Sequence, residues 1–227
     1  MENFEGKVAA ITGAGSGIGR ALAVELARRG AHLALSDVDE AGLAETVSLC
    51  EGYGVKVTSK VVDVADRDAV FEWADDVVDQ HGRVNLIVNN AGVALGAVVE
   101  TMDIEDFRWL MDINFWGVVH GCRAFLPLLR RRPEAVIVNI SSIFAMISVP
   151  TQSIYNAAKA AVRAFSDQGG ERKPVSHMAK AVRGEVARAL LEAKRVPEGP
   201  EAAASAAEAA GFRVELTPGH LDVIVAG

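Results

Sequence analysis

Cysteine is scarce: Cys50 and Cys122 are the two in 227 residues. That excludes a disulfide framework or a thiolate zinc cluster, and a reduced cytoplasmic setting is expected. Positive charge is in deficit, with Lys+Arg 23 against Asp+Glu 30 and a formal net charge of -7. Without clustered positive charge there is no electrostatic footprint for nucleic acid. The longest basic run, Arg130-Arg131-Arg132, stops at Pro133 and reads as a solvated helix end. No apolar run approaches the roughly 18 residues needed to cross a bilayer, and the opening Met1-Glu2-Asn3-Phe4-Glu5 is too acidic for a secretory leader. His32, His81, His120, His177 and His220 do not recur at metal-ligand spacing, so no metal is expected. Aromatics amount to 6%, and Trp73, Trp109 and Trp116 fall in helical stretches, where packing against a sheet or another subunit is expected. What is present is 50% hydrophobic and 23% charged, a balance that supports one domain with a sizeable core and excludes a disordered polymer.

Over residues 1–167 two periodicities alternate. Lys7–Thr12, His32–Asp37, Val55–Val62, Val84–Asn89 and Ala135–Ile140 are short apolar runs, as expected of strands buried on both faces. Helical patterns lie between them at Ile18–Arg29, Glu40–Glu51, Arg67–His81, Ile104–Arg131 and Gln152–Asp167, with Pro127 expected to kink the long one near its end. Strand and helix in alternation imply βαβ crossovers, hence an α/β fold with a doubly wound, Rossmann-like parallel sheet. After Gln168-Gly169-Gly170 the chain turns rich in Ala, Glu and Arg. Two further strands are conceivable there, at Phe212–Thr217 and Asp222–Ala226.

Gly13, Gly15, Gly17 and Gly19 crowd the turn between the first strand and the first helix, in the run Thr12–Gly19. Glycine there permits positive φ and lets backbone N–H groups of Ser16, Gly17 and Ile18 approach a pyrophosphate at a helix start. A tight strand-to-helix turn would use glycine as well; the position in the first βα unit favours the cofactor reading. Asp37 ends the second strand, 18 residues beyond Gly19. Its carboxylate can accept from both ribose hydroxyls of an adenosine and repel a 2′-phosphate, which favours NAD over NADP; the plainer reading is a helix cap. Asp63 and Val64 close the third strand, where they could meet an adenine edge.

Tyr155 and Lys159, four apart in a helical stretch, share one face. A phenol titrates near pH 10 in isolation, and a nearby ammonium favours its ionised form, so such a pair can exchange protons with a hydroxyl or carbonyl. Ser142 follows the fifth strand, at the sheet edge where open α/β folds bind ligands.

Taken together, the glycine turn, Asn89-Asn90-Ala91-Gly92, Asn114, Ser142 and Tyr155-Asn156-Ala157-Ala158-Lys159 resemble, in order and spacing, the short-chain dehydrogenase/reductase family over about the first 167 residues. The resemblance implies hydride transfer between nicotinamide and a carbinol or carbonyl carbon. Tyr155 would be the general acid/base, Lys159 would lower its pKa and hold the nicotinamide ribose, and Ser142 would bond the substrate oxygen. Asn114 would hold a relay water, and Asn90, Ala91 and Gly92 would line the adenosine side of the cleft. Phe144, Met146, Ile147 and Val149 suggest a hydrophobic secondary alcohol or ketone. Family members commonly pair through the helices corresponding to Ile104–Arg131 and Gln152–Asp167, which implies a homodimer or homotetramer acting on a small molecule, with no membrane partner.

The resemblance stops near Asp167. The family's Pro-Gly turn follows its tyrosine by about 30 residues, whereas Pro218-Gly219 lies 63 residues after Tyr155. The expectation is therefore one Rossmann-like domain with a cofactor-binding and catalytic core at 1–167 and an atypical segment at 168–227. That segment could be a rebuilt lid, a graft from elsewhere or a shifted reading frame. A nucleotide-binding or scaffold protein without turnover is the rival reading.

Overall fold

The structure is a computed structural model that describes residues 3–168. Five strands, β1 (Val8–Thr12), β2 (His32–Asp37), β3 (Val57–Val61), β4 (Leu86–Asn89) and β5 (Val136–Asn139), form one parallel sheet in the order β3-β2-β1-β4-β5. Strand order reverses at β1, which opens a crevice between the carboxyl ends of β1 and β4. The helices are α1 (Gly17–Arg28), α2 (Glu40–Glu51), α3 (Arg67–His81), α4 (Ile104–Met111), α5 (Gly117–Leu129) and α6 (Ser153–Gln168). The expected strands at 212–217 and 222–226, the Pro-Gly turn and the helical stretch after 179 lie outside the described residues.

The winding follows from side-chain alternation along the strands. Ala9 and Ile11 of β1, with Leu33 and Leu35 of β2, face Leu22 and Leu26 of α1 and Leu43 and Cys50 of α2. Val8 and Ala10, with Ala34 and Ile87, face Val70, Trp73 and Val77 of α3 and Phe125 and Leu129 of α5. Trp73 and Phe125 meet edge to face, ring centroids 5.2 Å apart. Along α6, Ile154, Ala158 and Val162 recur at i, i+4, i+8 and bury one stripe against α4, α5 and the segment between them. Cys50 and Cys122 are both buried and free. No helix among the described residues is long and apolar enough to cross a membrane.

Two expectations change. The third strand is not buried on both faces: all of β3 is partly or fully exposed and Val61 is 50% exposed, because the sheet order places β3 at an edge of the described sheet. The long helix expected over 104–131 is two helices joined by a π turn, Asp112–Trp116, in which the Gly117 N–H reaches back five residues to the Asp112 carbonyl. The interruption lies there; Pro127 sits inside α5, which runs on to Leu129. Trp73 is buried as expected, whereas Trp109 and Trp116 are 47% and 48% exposed.

Candidate active site

The carboxyl ends of β1, β2 and β4 frame a cleft of about 350 Å³, lined on one side by Gly13, Ser16, Gly17 and Ile18, and at the far end by Asp37, Val38, Val62, Asp63 and Val64. Asn90, Ala91, Gly92, Val93 and Ile113 complete the wall. Gly13 and Gly17 adopt positive φ, +66° and +51°, as the turn requires. A β-carbon on Gly13 would lie 2.8 Å from the Ala91 backbone, so glycine is what lets the turn lie against the end of β4. Gly19 does not line the cleft. A β-carbon there would stand 2.0 Å from the Gly13 carbonyl, so its task is close approach of α1 to the turn.

Thr12 and Asn90 tie β1 to β4 below the turn. Thr12 Oγ1 accepts from the N–H groups of Asn90 and Ala91, each at 3.0 Å, and Asn90 Nδ2 donates to the carbonyls of Thr12 (2.9 Å) and Gly13 (3.1 Å). Ser16 precedes α1 in extended conformation without a side-chain cap, and the first turn of α1 holds no acidic residue. The positive end of this helix faces the cleft at Ser16, Gly17 and Ile18, where a diphosphate could be held.

The Asp37 carboxylate is held in place from two sides. Its Oδ2 accepts from the Gly15 N–H at 2.7 Å and its Oδ1 from the Asp39 N–H at 3.0 Å. Capping of α2 belongs to Asp39, which accepts from Gly42 N–H, so the cap reading for Asp37 gives way. Val64 is braced from behind, since a β-carbon on Gly117 would lie 2.7 Å from Val64 Cγ2. His120 Nδ1 reaches its carbonyl at 3.0 Å.

Beside Gly92 of the cleft wall α6 brings up Lys159, with Tyr155 one helical turn before it. Lys159 is only 3% exposed, its Nζ donates to the Ile140 carbonyl at 3.0 Å, and no carboxylate pairs with it among the described residues. Burial pushes its pKa down from 10.5 to about 8. Its Nζ stands 5.7 Å from the Tyr155 ring centre and 3.4 Å from where a β-carbon on Gly92 would be, which puts the amine at the cleft wall. Half-buried Tyr155 packs edge to face on Phe144 at 5.8 Å.

The adjacent serines have different employment. Ser141 Oγ donates to the Lys159 carbonyl at 3.0 Å. Ser142 Oγ accepts from Phe144 N–H at 3.2 Å and donates to no described group, so its proton is free for a ligand. Asn156 Nδ2 donates to the Phe144 carbonyl at 2.8 Å and also to that of Ile147, fixing the 143–147 segment against α6. Asn114, fully buried in the π turn, spends its side chain on Val93: Oδ1 accepts from the Val93 N–H at 2.8 Å and Nδ2 donates to its carbonyl at 2.7 Å.

The structure thus brings ten of the expected cofactor residues into one cleft wall; Lys159 and Asn114 lie beside Gly92 of that wall, whereas Tyr155 and Ser142 are not among the residues that line it. Sequence reading gives no separate task to Thr12, Ile140 or Asn156, which it meets only inside longer runs, and passes over the pair Arg20 and Thr46 behind the glycine turn. A threonine next to Gly13 was the one available signal, since a strand-end hydroxyl beside a tight turn has backbone to bond.

The profile of the family described as short chain dehydrogenase matches residues 7–172. SadH of Mycobacterium tuberculosis, which carries the name of an oxidoreductase, is 53% identical over 167 residues, 74% of this chain and 60% of that protein. Among solved structures, a short-chain dehydrogenase/reductase from Burkholderia phymatum in complex with NAD superposes with a TM-score of 0.73 at 41% identity, over 75% of this chain and 61% of that one. Carveol dehydrogenase from Mycobacterium avium in complex with NAD gives 0.72 at 31% identity, over 75% and 66%. The chain thus matches about three-fifths of the length of the first two of these relatives. With the sheet order, the glycine turn and the Tyr155/Lys159 pair all in agreement with this match, the chain belongs to the short chain dehydrogenase family.

Proposed function

We propose that the protein is an NAD-dependent oxidoreductase acting on a hydrophobic secondary alcohol or ketone, with residues 1–167 as its cofactor-binding and catalytic core. The observation that carries this reading is Lys159: a buried amine with no carboxylate partner among the described residues, one helical turn from Tyr155 and beside Gly92 of the cleft wall. Burying an unpaired cation costs several kcal/mol, and a structural role would be served better by an apolar side chain.

The cradle fits the cofactor. Gly13 and Gly17 leave room for a diphosphate over the free start of α1, and the anchored Asp37 carboxylate faces the position of the adenosine ribose, where a 2′-phosphate would meet its charge. Asp63 and Val64 border the adenine, and Asn90, Ala91 and Gly92 line the adenosine side, with Asn90 also securing the turn. NAD supplies the carbon, C4 of its nicotinamide ring, that gives or takes the hydride. Tyr155 takes the proton from the substrate hydroxyl on oxidation and returns it on reduction. Ser142 directs its free proton at the same oxygen, and Lys159 holds the nicotinamide ribose. Because the Asn114 side chain is committed to Val93, a relay water at this position would be held by the Asn114 main chain. Phe144, Met146, Ile147 and Val149 form the apolar side of the substrate cleft.

Tyr155→Phe is expected to lower turnover by about 10²–10⁴-fold while NAD affinity, measured by calorimetry, stays within a factor of about two. Full activity in that variant sinks the mechanism, and NAD binding by the wild type with no turnover on a broad alcohol and ketone panel favours the scaffold reading. Trp109 and Trp116, near half exposure on α4 and the π turn, support a homo-oligomer built on these helices. A sedimenting species of monomer mass at micromolar concentration would overturn that part.

A further inference from the structure

Behind the glycine turn, on the side away from the cleft, α2 and α1 contribute a compact polar cluster that no step above uses. Thr46 of α2 is fully buried. Its Oγ1 accepts from Arg20 Nε at 3.1 Å and has one proton to give, with the Ala14 carbonyl at 2.8 Å and the Gly42 carbonyl at 3.0 Å. Arg20 also donates through Nε to the Gly15 carbonyl at 3.1 Å, with a second, shorter bond from Nη2 to the same oxygen, and through Nη2 to the Gly42 carbonyl at 3.3 Å. Glu45 Oε2 holds Nη1 of Arg20 at 2.9 Å. The start of α2 can come this close because position 42 lacks a side chain: a β-carbon there would lie 2.6 Å from the Gly15 carbonyl.

The consequence lies in the peptide units. One peptide joins Ala14 to Gly15; its carbonyl is the nearer of the two acceptors for the Thr46 hydroxyl, at 2.8 Å against 3.0 Å, and its N–H donates to Asp37 Oδ2 at 2.7 Å. The chain has no cis peptide bond among the described residues, and in a trans peptide C=O and N–H point in opposite directions. Anchoring the carbonyl outward on Thr46 therefore aims the Gly15 N–H inward at the carboxylate. The next peptide, Gly15 to Ser16, is fixed the same way by Arg20 on its carbonyl, which turns the Ser16 N–H away from the guanidinium. We infer that Thr46, itself oriented by Arg20, is a positioning residue for cofactor choice: it sets the Ala14–Gly15 peptide that holds Asp37 in its ribose-reading orientation. The inference rests on the proposed role of Asp37 toward the adenosine ribose.

A merely structural residue would weaken every nucleotide alike, whereas this one acts on the carboxylate that separates NAD from NADP. Thr46→Val keeps the shape and removes the proton; Thr46→Ser keeps the proton. In calorimetric titrations of the full chain, Thr46→Val is expected to weaken NAD about tenfold and leave NADP within about twofold, so that the NAD/NADP preference drops about tenfold. Thr46→Ser is expected to stay within about threefold of the wild type for both. Arg20→Met, on the partly exposed flank of the cluster, is expected to shift the ratio in the same direction. Equal losses for both nucleotides, no change in either, or a Thr46→Ser variant that behaves like Thr46→Val each overturn the inference. Hydrogen exchange at the Gly15 amide reads the brace without any nucleotide, and Thr46→Val should speed it about tenfold. If the wild type binds neither nucleotide, the cofactor reading fails on that result alone, and an unchanged Gly15 exchange rate then removes the brace as well.

Discussion

At the nucleotide end of the cleft, backbone does most of the work: the N–H groups of Gly15, Asn90 and Ala91 are aimed by Asp37 and Thr12, and several side chains share the load of holding the turn. At the Tyr155/Lys159 end, side chains make the links instead, and α6 is tied to the sheet by a few polar bonds: Lys159 to Ile140, Ser141 to Lys159, and Asn139 to Ser166. The first arrangement leaves no room for an added β-carbon. The second holds a buried amine whose charged form burial disfavours. Order by backbone suits recognition of a large, invariant ligand, while side chains suit proton transfer, which needs a titratable group at one point.

The sharpest way to break this contrast is Lys159→Met. Turnover should fall by at least about 10²-fold, while the fold gains stability at pH 7. With its pKa lowered from 10.5 to about 8, the folded protein pays for a buried charge below pH 8 that the unfolded chain keeps in water. Between about pH 8 and 10.5 the folded state releases this proton and the unfolded state retains it, so wild-type stability rises with pH across that window. The variant lacks the rise. Set against the lost bond to Ile140, its advantage at pH 7 should be about 2 kcal/mol, vanishing or reversing toward pH 10.5. Urea denaturation at pH 7 and pH 10 tests this; a variant less stable than the wild type at pH 7 would contradict it.

Gly19→Ala probes the opposite end. A β-carbon placed 2.0 Å from the Gly13 carbonyl forces α1 and the turn apart, with an expected cost of about 1–3 kcal/mol and weakened NAD binding. Thermal unfolding and calorimetry measure both, and an unaffected variant would mean that the turn has room the structure does not show. The smallest effect concerns the tie between α6 and β5. Ser166 Oγ accepts from Asn139 Nδ2 at 3.0 Å and donates to the Val162 carbonyl at 2.7 Å. Ser166→Ala leaves the buried Asn139 amide short of a partner, at about 1 kcal/mol in denaturant unfolding. A cost near zero would show that α6 docks by its apolar stripe alone.

Much of this arrangement is legible in the residue order. The four strands with mostly buried side chains, β1, β2, β4 and β5, fall within the apolar runs that mark them, because a parallel strand covered on both faces is apolar at nearly every position. Val55–Val62 looks similar, but its fate as an edge depends on sheet order, which no local pattern encodes. The π turn is hidden for a related reason. Asp112–Trp116 contains neither glycine nor proline, so Ile104–Arg131 reads as continuous and the one proline of that stretch, Pro127, lies elsewhere. Asn114 can be singled out as a site residue from its place in the pattern, but its engagement with Val93, 21 positions away, appears only in three dimensions.

By itself, the sequence determined the alternation of strands and helices, the glycine turn that needs positive φ, and the Tyr155/Lys159 face, since each depends on neighbours a few positions apart. Tertiary structure alone decided which serine, among the described residues, donates to the backbone, which way the Gly15 N–H points, and that Lys159 is buried with no carboxylate beside it among those residues. Those properties arise where β1, α2, β5 and α6 meet, and hydrogen-bond direction and desolvation depend on what surrounds a group in space.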